Sequence, residues 1–490
     1  MRSYIIKPKS VKKSEIIKND YIFSASRHNN IQINSNFDYL VNLIKISKKS
    51  VSLTNQKKYF NYVEIGSINT TTGYIEPTLK KSIDISTDSV FQLEKDDILI
   101  STVRTYLGGI GIINQKDQYL VASKALIVLR ELKKDINKYY LFGILRTGFF
   151  IEQTNLILNA SMYPRMDKDS FDKLKIPFPT NTNHHNPEKV ENHISNIVQN
   201  IIDKEEQIKL KNKQIDELIE KELKEKQKAG SFSYRYPKIS EIREETRLDT
   251  GLYERNFKEI DFLIRNYEGG IFQIPLDKFK SGSTPKVRVF DPQNKKYKWV
   301  TPTLITDQGN YQPSATINMD SKNNLSKDCI LIINRTSKGK KGEYVGITCF
   351  YEVNSFGLGQ HNQGLYQIKD YSKFEKLFII CLLNSKLYRK LCGCISIGSK
   401  MKEMKSLDFA FLKFPNFPDS KQKEIVNLYY KSLEKNKNLN IENYLEIEKI
   451  RNRKLGIFQL NLEIFSLQEQ LETLVHKIVS EEYIEIDFAY

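Results

Sequence analysis

The feature that most constrains the fold is a phrase the chain states twice. LEKDDILI, Leu93 to Ile100, returns as LSKDCILI, Leu325 to Ile332, identical at six of eight positions. Each copy soon reaches an Arg-Thr pair, Arg104-Thr105 and Arg335-Thr336. Other anchors keep the same order. Ser14-Glu15-Ile16 matches Ser240-Glu241-Ile242, and Ser123-Lys124-Ala125-Leu126 resembles Asn362-Gln363-Gly364-Leu365. LRTGFF (145–150) resembles LNSKLY (383–388), and LKIP (174–177) matches LKFP (412–415). The offset widens from 226 through 232 to about 238 as loops lengthen. A period this long is no solenoid; it is a duplicated domain.

Each copy has one grammar. β-rich runs come first: YFNYVEI, DDILIST and YLVASKALIVLR in one half, KYKWVTP, CILIIN and GLYQIK in the other. Polar turns separate them. A short helix is expected around 137–153 and 373–390, and an L-K-Ile/Phe-P strand closes the unit. After each copy the pattern turns helical. Ile194, Ile201, Ile208 and Ile215 fall seven apart, with Lys204 and Lys211 interrupting the seam. Ile457, Leu460, Ile464, Leu467, Leu471, Leu474 and Ile478 alternate gaps of three and four. The fold class expected is mixed α/β (α+β): two similar domains, each followed by a long helix, the helices packing as an antiparallel coiled coil. The divisions are 1–180 and 231–418 for the domains, 181–230 for the first spacer helix and 419–490 for the second helical region.

Charge narrows the partners. Lys and Arg number 76 against 59 Asp and Glu, a net charge of +17, which favours a polyanion such as nucleic acid. The start has no signal-peptide pattern and no apolar run is long enough to span a membrane. The five sparse cysteines suit a reducing cytoplasm, and Cys392-Gly393-Cys394 lacks zinc-site spacing. His184-His185, in a polar linker, is expected to be solvated. Trp299 is expected in the core. Phe356-Gly357-Leu358-Gly359 reads as a turn before a strand, and Lys338-Gly339-Lys340-Lys341-Gly342 lacks phosphate-loop spacing.

Several stretches carry a family resemblance. GSTPK (282–286) followed by KYKWVTPTLI (296–305), YVEIGSINTTTG (62–73), RLDTGLY (247–253) and DSKQKEIVNLYYKSL (419–433) make the chain resemble the specificity subunit of a type I restriction–modification system. The first copy lacks the Gly-Ser-Thr-Pro turn, and Tyr21, Phe23 and Ser26 stand where the second has Arg247, Asp249 and Leu252. The resemblance implies a non-catalytic, cytoplasmic reader of double-stranded DNA with a bipartite target, one domain per half-site. The helices would set the gap. Two methyltransferase subunits would dock and hold S-adenosylmethionine, and restriction subunits would join them. No cofactor or metal is expected in this chain, and it lacks the Asn/Asp-Pro-Pro-aromatic tetrapeptide of amino-methyltransferases. The alternatives are the specificity module of another methyltransferase-based phage-defence system, or a coiled-coil adaptor without a DNA role.

Base edges are read by forks and amides, phosphates by charge and hydroxyls. Strand ends therefore supply the candidates for DNA binding. In the first domain these are Ser101, Thr102, Arg104 and Tyr106, then Ser123 and Lys124, then Ser161, Tyr163 and Arg165. In the second they are Ser283, Thr284 and Lys286; Asn334, Arg335, Thr336, Lys338, Lys340 and Lys341; Gln360, His361, Asn362 and Gln363; and Ser399, Lys400 and Lys402.

Overall fold

The computed structural model describes residues 3–18, 28–54, 58–157, 168–245, 248, 250–284, 297–313, 316–317, 324–337, 344–434, 436 and 438–486. The chain divides into two compact units. One holds 1–206, 434–453 and 462–490; the other holds 207–433 and 454–461.

The repeated phrase is the central strand of a four-stranded antiparallel sheet in each unit. In the first the order is Ile110–Ile112, Ile98–Ser101, Leu126–Leu132, Ile44–Ile46. In the second it is Thr348–Tyr351, Cys329–Ile333, Leu365–Ile368, Lys280–Ser281. Registers coincide too: Leu126 faces Ser101 as Leu365 faces Ile333. Both strands have covered faces, so they read as unbroken apolar runs; Ile98, Leu99 and Ile100, and likewise Ile330, Leu331 and Ile332, are fully buried.

A second sheet repeats with equal fidelity. Thr78–Lys81, Tyr59–Val63, Leu120–Ala122 and Ser89–Gln92 lie in that order, with Ser50–Ser52 beyond. Their counterparts are Thr316–Ile317, Tyr297–Val300, Gly359–His361 and Asn324–Leu325. In both units the central pair is parallel and its neighbours antiparallel. Trp299 is buried in this sheet of the second unit. Gly357 ends a short helix (Val353–Phe356) and turns the chain into Gly359–His361.

The sequences differ inside the shared phrase where Asp97 stands against Cys329. Asp97 is fully buried, and both its oxygens take the Arg130 guanidinium at 2.8 Å. One of them also accepts the Glu94 amide at 2.7 Å. The Arg130 guanidinium is held above its ordinary pKa, first by its hydrogen bonds to Asp97.

The short helix expected in each domain is two helices: Lys138–Leu145 and Gly148–Ile157, then Lys373–Asn384 and Lys386–Ile395. A hydroxyl makes each break. Thr147 and Ser385 donate back to the carbonyls of Ile144 and Leu382 at 2.7 and 2.6 Å, and Ser385 also caps the second helix from Tyr388 N. The residue before each hydroxyl ties the helices to the sheet. Arg146 donates to the Ile110 carbonyl at 2.7 Å, and Asn384 Nδ2 to the matching Thr348 carbonyl at 2.9 Å.

The first long helix is Pro187–Glu225, the last Ile457–Ser480. All seven apolar residues of the last seam are buried, as are Ile194, Ile201, Ile208 and Ile215. Within the first unit the pairing is antiparallel: Asn183 reaches the Lys477 carbonyl (3.1 Å), His193 meets Gln470 (3.3 Å) and Lys204 meets Glu463 (2.5 Å). Lys204 is 1% exposed. Its ammonium also reaches Asn452 (2.6 Å) and Glu448 (3.2 Å), and Arg451 adds a second cation to Glu463 at 2.9 Å. Burial opposes the Glu463 charge, but the Arg451 hydrogen bond and the Lys204 charge outweigh it, so its carboxyl lies below the ordinary range. His184, expected in solvent, is buried; its Nδ1 accepts the Asn186 amide at 2.9 Å in a local turn.

Each unit also caps its second short helix with a carboxylate from a long helix. Glu472 accepts the amide of Gly148, and Asp216 that of Lys386, both at 2.8 Å. Gly148 and Lys386 occupy the same place in the two repeats.

Candidate nucleic-acid interface

The end of the repeated strand is joined to one neighbouring loop by the same hydrogen bonds in both units. The Thr102 amide donates to the Ala125 carbonyl, and Asn334 to Gly364, each at 3.0 Å. The Ser123 amide donates to Val63 at 2.9 Å, and Asn362 to Val300 at 3.1 Å. The side-chain oxygen of Ser123 accepts the Ala125 amide at 3.2 Å, as that of Asn362 accepts Gly364 at 2.9 Å. The loop is thus the same turn built once with a hydroxyl and once with an amide. A fixed frame presents unlike side chains: Arg104 and Lys124 in one unit, Arg335 and Gln363 in the other.

In the first unit Ser101 is buried and its hydroxyl serves the Val103 carbonyl at 2.8 Å. Thr102 spends its hydroxyl on Ala125 at 2.9 Å. Arg104, Tyr106 and Lys124 are exposed; Lys124 Nζ rests 4.2 Å from the Phe91 ring centre. Ser161, Tyr163 and Arg165 lie outside the described residues.

In the second unit four segments converge. Asn334 is buried, and its Nδ2 donates to the Gln363 carbonyl at 3.0 Å. Arg335-Thr336 form a two-residue strand against Lys402-Glu403, and the Met404 amide donates to the Asn334 carbonyl at 2.8 Å. The Ser283 amide reaches His361 O at 3.2 Å. Gly282 permits that approach, since a Cβ there would lie 2.2 Å from the Asn362 carbonyl oxygen. Ser283, Thr284, Gln363, Ser399 and Lys400 are exposed; Arg335, Thr336, Asn362 and Lys402 are half-buried. Gln360 and His361 are buried, Gln360 bonding Asn324 at 3.0 Å. Burial pushes the His361 imidazole down to about 4, so it is neutral at pH 7. Lys286, Lys338, Lys340 and Lys341 lie outside the described residues, as do Tyr21, Phe23, Ser26, Arg247 and Asp249.

Sequence reasoning missed the strand that returns at Lys402-Glu403, which has no apolar alternation to announce it. It also missed Leu107, exposed beside Tyr106. Among the described residues no group of three or more His, Cys, Asp or Glu could hold a metal ion, and no helix is long and apolar enough to cross a membrane.

Residues 40–221 match the family model described as Type I restriction modification DNA specificity domain. No curated protein matches the chain. Among solved structures, the HsdS subunit from Thermoanaerobacter tengcongensis aligns at 15% identity over 91% of this chain and 96% of its own, with a TM-score of 0.31. The type I restriction-modification system S subunit from M. genitalium aligns at 13% identity over 94% and 98%, with a TM-score of 0.38.

Proposed function

We propose that the chain belongs to the type I restriction–modification specificity family, whose DNA specificity domain residues 40–221 match, and that it reads a bipartite DNA target with one unit per half-site. One observation carries this reading. The two sheets of the matched region recur in the second unit, apart from the edge strand Ser50–Ser52, with the same joint between Thr102 and Ala125 and between Asn334 and Gly364. On that shared frame the exposed side chains differ, Lys124 in one unit and Gln363 in the other. Two frames of one design bearing different forks and amides suit two different sequences.

Candidates divide by burial and by whether the side chain is spent on the loop's own hydrogen bonds. Arg104, Tyr106, Lys124, Ser283, Thr284, Arg335, Gln363, Ser399, Lys400 and Lys402 would reach DNA. Ser101, Thr102, Ser123, Asn334, Gln360, His361 and Asn362 hold the frame. Catalysis belongs to partners: two methyltransferase subunits carrying S-adenosylmethionine, with restriction subunits added. The basic surplus of the chain supplies sequence-independent affinity.

The test is expression of the chain with its methyltransferase partner, followed by mapping of methylated adenines. A two-part motif with an unread gap is expected. Methylation with no motif, or with one contiguous motif, would overturn the reading.

A further inference from the structure

In the first unit the short 3-10 turn Thr105–Leu107 is fixed from both ends. Arg104, just before it, sits at φ +49°, ψ +47°, and Gly108, just after it, at φ +78°. Left-handed backbone is disfavoured for a residue with a Cβ and persists where its surroundings dictate it. Here they do. Thr105 is fully buried and its hydroxyl donates to the Ser101 carbonyl at 2.7 Å. The amides of Leu107 and Gly108 close the turn on the carbonyls of Arg104 and Thr105 at 2.9 Å each.

This rigid turn carries apolar side chains into solvent: Leu107 is 57% exposed and Tyr106 38%. It follows directly on the strand end that Thr102 ties to the Lys124 loop, and both Arg104 and Lys124 are exposed. An apolar point beside cations matches the major groove at a thymine, where a methyl group projects beside anionic backbones. In the second repeat the matching Arg335-Thr336 is a strand.

We propose that Leu107, with the ring of Tyr106 beside it, reads a thymine methyl group in the half-site recognised by the first unit. This rests on the DNA-reading function above. Replacing thymine by uracil deletes that methyl and leaves every hydrogen bond of the base pair in place.

The test uses the full chain in complex with its methyltransferase partner and duplexes carrying the mapped target. Each thymine of both half-sites is replaced in turn by uracil. At one position of one half-site the complex should lose about four-fold in affinity, the effect of one buried methyl. The same replacement should cost the Leu107→Ala complex nothing, while Leu107→Met should retain the loss. A complex that prefers its target but is indifferent to uracil would overturn the inference alone, and so would an undiminished loss in Leu107→Ala. A complex with no preference for its target over a scrambled duplex would overturn the DNA-reading function as well.

Discussion

The carboxylate of Glu472 accepts the backbone N–H of Gly148 at 2.8 Å, although 324 residues of chain separate them. It serves one of the orphan amides at the start of the helix Gly148–Ile157. Glu472→Ala should therefore destabilise the protein by about 1–2 kcal/mol, read from urea unfolding. Asp216→Ala should do the same to the helix beginning at Lys386. No change in either would mean that water replaces these caps at no cost.

Asp97 and Arg130 form the charged pair that replaces apolar contact within the repeated phrase. Removing the carboxylate leaves a guanidinium that is only 13% exposed. Asp97→Asn should cost about 3 kcal/mol. Asp97→Cys combined with Arg130→Leu, which removes both charges, should cost much less than the sum of the single changes. Additive losses in that double-mutant cycle would mean the pair is not coupled.

Lys204 is a cation inside a helix seam, and its partners make the burial tolerable. Lys204→Ala should cost about 3–5 kcal/mol, since Glu448 loses its nearest cation and Asn452 a donor. Glu463, lowered from the ordinary range, should add an acid limb. Its contribution is present above the unfolded value and drains as pH falls through the folded one. Glu463→Gln should flatten that limb in unfolding measured across acid pH.

His361 gives a limb at higher pH. The unfolded imidazole binds its proton near 6.5 and the folded one only near 4. Between these values the unfolded chain holds more protons, so stability rises with pH there and is complete above about 6.5. The whole limb is worth about 3 kcal/mol at most. Unfolding followed from pH 7 to 4 should show it in the wild type and not in His361→Gln.

On DNA, Arg335→Ala should weaken target binding by about 1–3 kcal/mol and relax one base of one half-site. Lys124→Ala should weaken target and scrambled duplexes alike and lower the salt slope by about 1. Methylation mapping of the first variant and salt titrations of the second separate base reader from phosphate contact.

What could be read in advance follows from periodicity. The doubled phrase was legible because a central strand needs a fixed apolar run, and the match of Ser123 with Asn362 because both make one turn. The seams showed as repeats of seven residues. Charge misled, because Lys204 and His184 are types expected in water and only their partners explain their burial. The helix breaks at Thr147 and Ser385 depend on one hydroxyl each, too local a signal for a pattern. In the second unit Gly282, Asn334, His361 and Gln363 come together as loops at strand ends should. Lys402 joins them through a two-residue strand that has no sequence signature.

The two caps bear on how such proteins can be recombined. Gly148 belongs to the first repeat, but the carboxylate it uses stands on the helix after the second; Lys386 uses one on the helix after the first. Each globule therefore borrows part of its support from the other half of the gene. A chimera joined at residue 230 would carry a first globule stripped of segments 434–453 and 462–490, which complete its unit. Grafts that change the target should instead cut inside the globules, leaving both long helices, with Glu472 and Asp216 on them, as a common chassis.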